Sequence, residues 1–375
     1  MRSKYKVADV LNKHHPRIDA LCGNAWKSRT LHAVRKCRTA ALGGHVDQCN
    51  SCNKLHLSYN SCRNRHCPTC QGHKREQWIN ARNEERLEVP YFHVVFTIPS
   101  ALNKLSLSHP KLIYNALFKA SWETLNQFSD NPKHLGARLG MIALLHTWGQ
   151  NLQLHPHLHC IVPAGGVTKE GKWKKSKNKG GFLFCVKAMS SVFRAKFVAE
   201  LRKNKKDIPP QLFDVLFSKK WVVFAKKTFS NTYSVVEYLG RYSHKIAISN
   251  HRIVKIDNEK DTITFKVKNY KQEGKRELLT LSQTEFIRRF SMHVLPKGFT
   301  RIRHYGILSG TWKKKHLKKL QAKLSKGIKK EKIKKETLLN RCVSCKKGEL
   351  ITIHIFNECR PPPIEMIALL PNKKL

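Results

Sequence analysis

Residues 45–75 are rich in Cys, His, Asn and Arg and poor in aliphatic side chains, so the segment lacks material for an apolar core and needs another source of cohesion. It carries Cys49-x2-Cys52 and, 14 residues later, Cys67-x2-Cys70. Each CxxC turn presents two sulfurs to one side and the intervening loop returns the second pair, so these four thiolates are expected to close tetrahedrally around Zn²⁺. Cys37, His45, Cys62 and His66 are near enough to replace a ligand or build a second site, and spacing leaves both open. Further on, Cys342-x2-Cys345 precedes His354 and Cys359 in an irregular arrangement, either another zinc site or spare cysteines. The chain begins MRSKYKVADVLNKHH, without the apolar core of a secretory signal. Its twelve cysteines are therefore read as metal ligands in a reducing cytoplasm, not as disulfides.

Charge narrows the partners. Across 375 residues, 72 Lys and Arg stand against 25 Asp and Glu, a net +47. A field this positive repels itself unless a polyanion neutralises it; nucleic acid, with a nucleoid-associated location, is the first reading and an acidic membrane surface the rival. No run reaches the ~18 apolar residues that a spanning helix needs. With 41% hydrophobic residues the chain can build folded cores. The composition suggests a helical and zinc-binding DNA-binding domain over 1–90, a catalytic domain over 91–310, and a Lys-rich arm with a Cys cluster over 311–375.

Helices are expected at Val7–Leu11, at Ala25–Val34 and from about Pro110 to Gln127. Strands are expected at YFHVVFTIP, HLHCIVP, FLFCV and WVVFAKK, with an apolar block at 140–147. A helix from about 187 to 204 lies between the last two strands, and Thr232 caps another over 233–242. Two strands, KIAISNHRIVKI and TITFKVKNY, then lead to a helix at TEFIRRFSMHVL, stopped by Pro296. Residues 313–335 hold twelve lysines, a solvated helical arm or one that contacts phosphates.

Two clusters carry chemistry. In HPHLHC (155–160), strand alternation turns His157 and His159 to one face and Leu158 to the core, a clamp for a divalent metal. Gln150 is the candidate third ligand, with His155 in reserve. In EYLGRYSHKIAI, Tyr238 and Tyr242 stand one helical turn apart among Arg241, His244 and Lys245. Those cations attract phosphate and favour a phenolate. Phenol, metal and basic surface are the parts of one reaction, attack of a tyrosine on a DNA phosphodiester.

The chain resembles the rolling-circle transposases of the insertion sequence 91 family, two-tyrosine members of the HUH endonuclease superfamily. The resemblance rests on CRTAALGGHVDQC, SYNSCRNRHCPTCQ, LHTWGQNLQLHPHLHCIVPAGG, EYLGRYSHKIAISNHR and EFIRRFSMHVLPKGFTRIRHYGIL. It implies His157, Leu158 and His159 as the His-hydrophobic-His motif, Tyr238 and Tyr242 as nucleophiles, and an N-terminal zinc domain on Cys49, Cys52, Cys67 and Cys70. It also implies an α+β fold, an antiparallel sheet of about five strands flanked by helices, with the histidines on a central strand. The zinc domain would precede this sheet and a basic C-terminal region would follow it. The expected activity is nicking and rejoining of single-stranded DNA at transposon ends and target with Mg²⁺ or Mn²⁺. Arg63, Arg65, Arg241, Lys245, Arg301, Arg303 and His304 are the candidate phosphate contacts. Charge and cysteines alone also admit a non-catalytic zinc-dependent nucleic-acid-binding protein, and an HxH metal site alone admits a hydrolase that uses water.

Overall fold

The computed structural model describes residues 3–176, 183–203, 208–228, 240, 246–269, 272–325, 340–357 and 362–363. The chain forms two compact units. Residues 1–74, 248–291 and 330–375 make one, and residues 75–247 and 292–329 the other. This differs from the linear division at 90 and 310, because the first unit gathers both ends of the chain and an internal segment.

In the first unit, α1 (Val7–Lys13), α2 (Ile18–Cys22) and α3 (Ala25–Arg35) follow the expected helical spacing. Val7, Val10 and Leu11 are fully buried, and Asn24 caps α3 by accepting from the N–H groups of Trp26 and Lys27. The Cys-rich segment supplies two antiparallel strands, β1 (Gly44–Cys49) and β2 (Leu55–Tyr59).

Helix α4 (Gly72–Glu84) leads into the second unit, which contains β3 (Tyr91–Thr97), α5 (Asn103–Ser108), α6 (Pro110–Asp130), β4 (Gly140–Trp148) and β5 (Leu154–Pro163). A small pair, β6 (Gly165–Val167) and β7 (Trp173–Lys175), precedes α7 (Val186–Arg202), α8 (Pro210–Ser218) and β8 (Val222–Thr228). The strand expected at FLFCV is absent among the described residues. Leu183 and Phe184 instead enter the core as irregular chain just before α7. Their burial looks the same in sequence whether a strand or a loop delivers it.

The chain returns to the first unit for an antiparallel meander, β9 (Ile253–Asp257), β10 (Thr262–Asn269) and β11 (Lys275–Ser282), followed by α9 (Gln283–Met292). This segment joins the N-terminal helices through polar anchors. Asn250 Oδ1 accepts from the Val7 N–H at 3.1 Å, and Asp261 accepts from Lys13 Nζ at 2.8 Å. Of the described residues of KIAISNHRIVKI, only those from Ile253 are strand. The second unit is completed by β12 (Ile302–Gly306) and α10 (Gly310–Leu324), and the first by β13 (Leu350–Phe356). β13 pairs antiparallel with β1, from Gly44 opposite Phe356 to Cys49 opposite Leu350.

The second unit is built around a five-stranded antiparallel sheet in the order β12-β4-β5-β3-β8. Alternation gives it two unlike faces. Val94, Phe96, Leu145 and Leu158 point to one face, into a core shared with Leu117 and Phe118 of α6 and Phe193 and Phe197 of α7. The other face carries Leu144, Ile142 and Ile161, covered by Leu317 and Leu320 of α10, and beyond these a row of histidines. The expected sheet is therefore present, with the HxH motif on its central strand.

Candidate functional site

His157 and His159 project from β5 to the same face. The β4–β5 register sets His146 directly opposite His157, and Leu144 opposite His159. His146, His157 and His159 thus converge, each offering one imidazole nitrogen within 4.8 Å of the others. The two Nε2 atoms of His157 and His159 are 3.2 Å apart. His146, not expected from the sequence, is the third member. Gln150 lies in the turn after β4, and His155 stands outside the three-nitrogen group.

The rings are held in place. His157 Nδ1 donates to the His155 carbonyl at 2.6 Å, so Nε2 is the nitrogen the ring turns toward the cluster. His159 Nδ1 meets Nε2 of His93 on β3 at 2.9 Å, with the two rings stacked at 5.1 Å. Burial lowers the His93 imidazole to about 4, so at neutral pH it is uncharged. Trp148 stacks on His146 at 4.6 Å, and the Arg301 guanidinium lies 5.4 Å from the Trp148 ring. The β4–β5 turn is pinned by buried His293, which bonds Thr147 Oγ1 and the Leu152 carbonyl. Three nitrogen donors preset in this way fit a divalent metal ion.

The cysteines assemble differently from the set expected. Cys49 and Cys52 do not meet Cys67 and Cys70. Cys37, Cys62, Cys67 and Cys70 form one cluster, and Cys49, Cys52, Cys342 and Cys345 form another. The physical reason is the β1–β13 ladder, which delivers the C-terminal pair to the end of β1. A tetrahedron of sulfurs ~2.3 Å from a central zinc has edges of about 3.8 Å. The Cys62–Cys70 sulfurs lie 3.7 Å apart, which fits. Backbone N–H groups of Cys62 and Thr69 donate to the sulfurs of Cys37 and Cys67. His45 instead faces Asp47, and His66 accepts from Arg65. His354 sits in β13 opposite Val46, and Cys359 lies outside the described residues.

The candidate phosphate contacts have mixed surroundings. Arg63 is exposed and holds a left-handed backbone with φ of 51°, while Arg65 is half-buried. Arg301 is buried, and its Nε donates to the Leu145 carbonyl. Arg303 lies 4.2 Å from the Phe118 ring centroid and donates to Asn115. Burial, with Lys313 and Arg82 nearby, lowers His304 to about 4, so it is neutral at pH 7. Tyr238, Tyr242, Arg241 and Lys245 lie outside the described residues. Between the two tyrosines, Gly240 is helical and buried, and a Cβ there would meet Ile79 of α4 at 2.3 Å.

Comparison with known proteins places the chain. Residues 140–316 match the family model described as "Putative transposase", and residues 10–98 the one described as "Transposase zinc-binding domain". "Putative transposase y4qJ" of Sinorhizobium fredii is 39% identical over 96% of this chain and 98% of its own length. "Transposase for insertion sequence element IS801" of Pseudomonas savastanoi pv. phaseolicola is 29% identical over 75% of this chain and 70% of its own. Among solved structures, the metal-bound conjugative relaxase TrwC in complex with oriT DNA is 14% identical. It covers 41% of this chain and 71% of its own, with a TM-score of 0.26. The match along nearly the full length of one relative, and two family models that between them take in one cysteine cluster and the histidine cluster, show that the chain belongs to the transposases of the insertion sequence 91 family.

Proposed function

We propose that this transposase nicks and rejoins single-stranded DNA at the ends of its element and at its target through 5′-phosphotyrosine intermediates. Tyr238 and Tyr242 are the nucleophiles, a role that rests on their sequence setting and the family resemblance. His146, His157 and His159 are the ligands of a catalytic divalent ion. The observation that carries the reading is the convergence of three imidazoles, two from the central strand β5 and one from its neighbour β4, with Nδ1 of both β5 histidines already engaged.

A phenolate oxygen attacks phosphorus, an O–P bond forms, the P–O3′ bond breaks, and the departing 3′ oxygen takes up a proton. The tyrosyl phosphodiester retains the bond energy, so a 3′ hydroxyl can reverse the step on another strand. His146, His157 and His159 would hold the divalent ion, which would supply Lewis-acid charge stabilisation to the phosphate. Mg²⁺ and Mn²⁺ both favour oxygen ligands, and of the two Mn²⁺, as a transition ion, tolerates an all-imidazole donor set better, with oxygens of substrate and water completing its shell. The protein's own groups orient this centre. The His155 carbonyl and His93 hold two rings, and Trp148 packs on the third. Zn²⁺ in the Cys37, Cys62, Cys67 and Cys70 cluster supplies folding energy to the Cys-rich segment.

The test uses end-labelled single-stranded oligonucleotides from the element's termini, with Mn²⁺, Mg²⁺ or EDTA, resolved by denaturing electrophoresis. The expected result is a metal-dependent, protease-sensitive shifted band that is absent in the Tyr238→Phe, Tyr242→Phe double variant while DNA binding persists. An adduct formed by the double variant refutes the tyrosine assignment, and free nicked product without an adduct points to water as the nucleophile.

A further inference from the structure

We propose that Cys49, Cys52, Cys342 and Cys345 form a second zinc site, separate from the Cys37, Cys62, Cys67 and Cys70 cluster, that clasps the two ends of the chain into one zinc ribbon. The zinc-binding family match ends at residue 98, so half of this ligand set lies far outside it. The sulfur geometry supports the clasp. Cys49 and Cys345 are 3.7 Å apart and Cys52 and Cys342 3.8 Å, against the edge of about 3.8 Å for tetrahedral Zn–S₄. These separations are far beyond a disulfide bond.

Both halves are shaped as metal knuckles. The N–H groups of Ser51 and Cys52 donate to Cys49 Sγ, and that of Gly348 donates to Cys345 Sγ, each at 3.3–3.4 Å. Such bonds spread the negative charge that four thiolates bring to one ion. The halves also fit each other. Asn50 N–H donates to the Glu349 carbonyl at 3.0 Å, and Glu349 N–H donates to Asn50 Oδ1 at 2.9 Å. A Cβ on Gly348 would meet Cys49 Sγ and Ser51 Cβ at 2.5 Å, so the second knuckle closes against the first only because residue 348 has no side chain.

Apolar burial does not fasten β13. Ile351, Ile353 and Ile355 are 55%, 44% and 76% exposed, and of the strand's residues only Phe356 is buried. A single edge ladder with so little burial is weak. A metal bridging its base to β1 provides the missing cohesion, because ligand binding that requires the folded arrangement is itself folding energy.

The test is zinc content per chain, by mass spectrometry of purified full-length protein. Two zincs are expected in the native chain. Cys49→Ser with Cys52→Ser, Cys342→Ser with Cys345→Ser, and the quadruple variant are each expected to retain one. A native chain with one zinc, a Cys342/Cys345 variant that keeps two, or a quadruple variant that loses both overturns the shared site. The last outcome is what one site on Cys49, Cys52, Cys67 and Cys70 and another on Cys342 and Cys345 would give. Should the variants fail to fold, the native protein answers by alkylation with N-ethylmaleimide before and after a zinc chelator. Cys49, Cys52, Cys342 and Cys345 are expected to be protected together and released together. Modification of Cys342 and Cys345 in zinc-loaded protein while Cys49 and Cys52 stay protected overturns the proposal.

Discussion

At the scale of single residues, His93 governs which nitrogen of His159 faces the cluster. For His159 to ligate through Nε2, its Nδ1 must carry the proton and donate to a neutral His93, which its burial ensures. His93→Ala is expected to weaken Mn²⁺ binding by about 10–100-fold, a typical loss on removing such a partner. His93→Gln, which keeps an acceptor, should recover part of it, and calorimetric Mn²⁺ titration of the variants decides. Equal affinity in His93→Ala and native protein refutes the role. His304 makes a second prediction. Its folded value of about 4 lies below the 6.5 of an unfolded imidazole, so between those values the unfolded chain takes up a proton that the folded one refuses. Stability therefore falls as pH falls through this window, and His304→Phe should flatten the fall between pH 7 and 5 in urea denaturation. An unchanged pH dependence in the variant sinks the assignment. His157 and His159 were legible because two imidazoles two apart on a strand must share a face. His146 was not, since only the register of the β4–β5 hairpin, with its irregularity between His146 and Trp148, brings it opposite. Arg301 and Arg303 looked like phosphate contacts because a sequence shows charge and hides the carbonyl or aromatic ring that engages it.

At the scale of elements, the strands readable in advance were those with apolar runs, β3, β5 and β8, and the β-branched runs that give β10 and, from Ile253 on, β9. β12, IRHYG, has only half-buried residues along its length, and its strand character comes from pairing with β4 at the sheet edge. β1, β2 and β13 were hidden for a related reason, since they are held by ladders and sulfur clusters more than by apolar packing. The single described residue of the tyrosine segment yields a further prediction. Gly240→Val places a side chain against Cγ1 and Cδ1 of Ile79 on α4, so the Ile79 side chain or the backbone at 240 has to move. A displacement near 1 Å can cost on the order of 10²-fold in rate, and adduct formation should fall accordingly. Ile79→Ala added to Gly240→Val should restore part of it, as quantified on the same denaturing gels, whereas an undiminished Gly240→Val refutes the packing constraint.

At the scale of the whole molecule, a net charge of +47 predicts binding dominated by phosphate neutralisation. With about 6–10 phosphates contacted, affinity for a terminal oligonucleotide should fall by roughly 10³–10⁵ between 50 and 200 mM salt. Fluorescence anisotropy across that range checks this, and a flat response would mean the charge lies away from the DNA. No helix among the described residues is long and apolar enough to cross a membrane. The two-unit organisation was not legible from composition, because nothing in a linear reading shows that residues 248–291 and 340–357 return to the N-terminal helices and β1. The pairing of β1 with β13 also orders events on the ribosome. Cys52 emerges 290 residues ahead of Cys342, a wait of roughly 15–60 s at about 5–20 residues per second. Until translation is nearly complete, β1 has an open edge and Cys49 and Cys52 lack half their partners. A chain truncated before residue 342 leaves them so permanently, with an open β1 edge and half of a sulfur cluster in place of a closed ribbon.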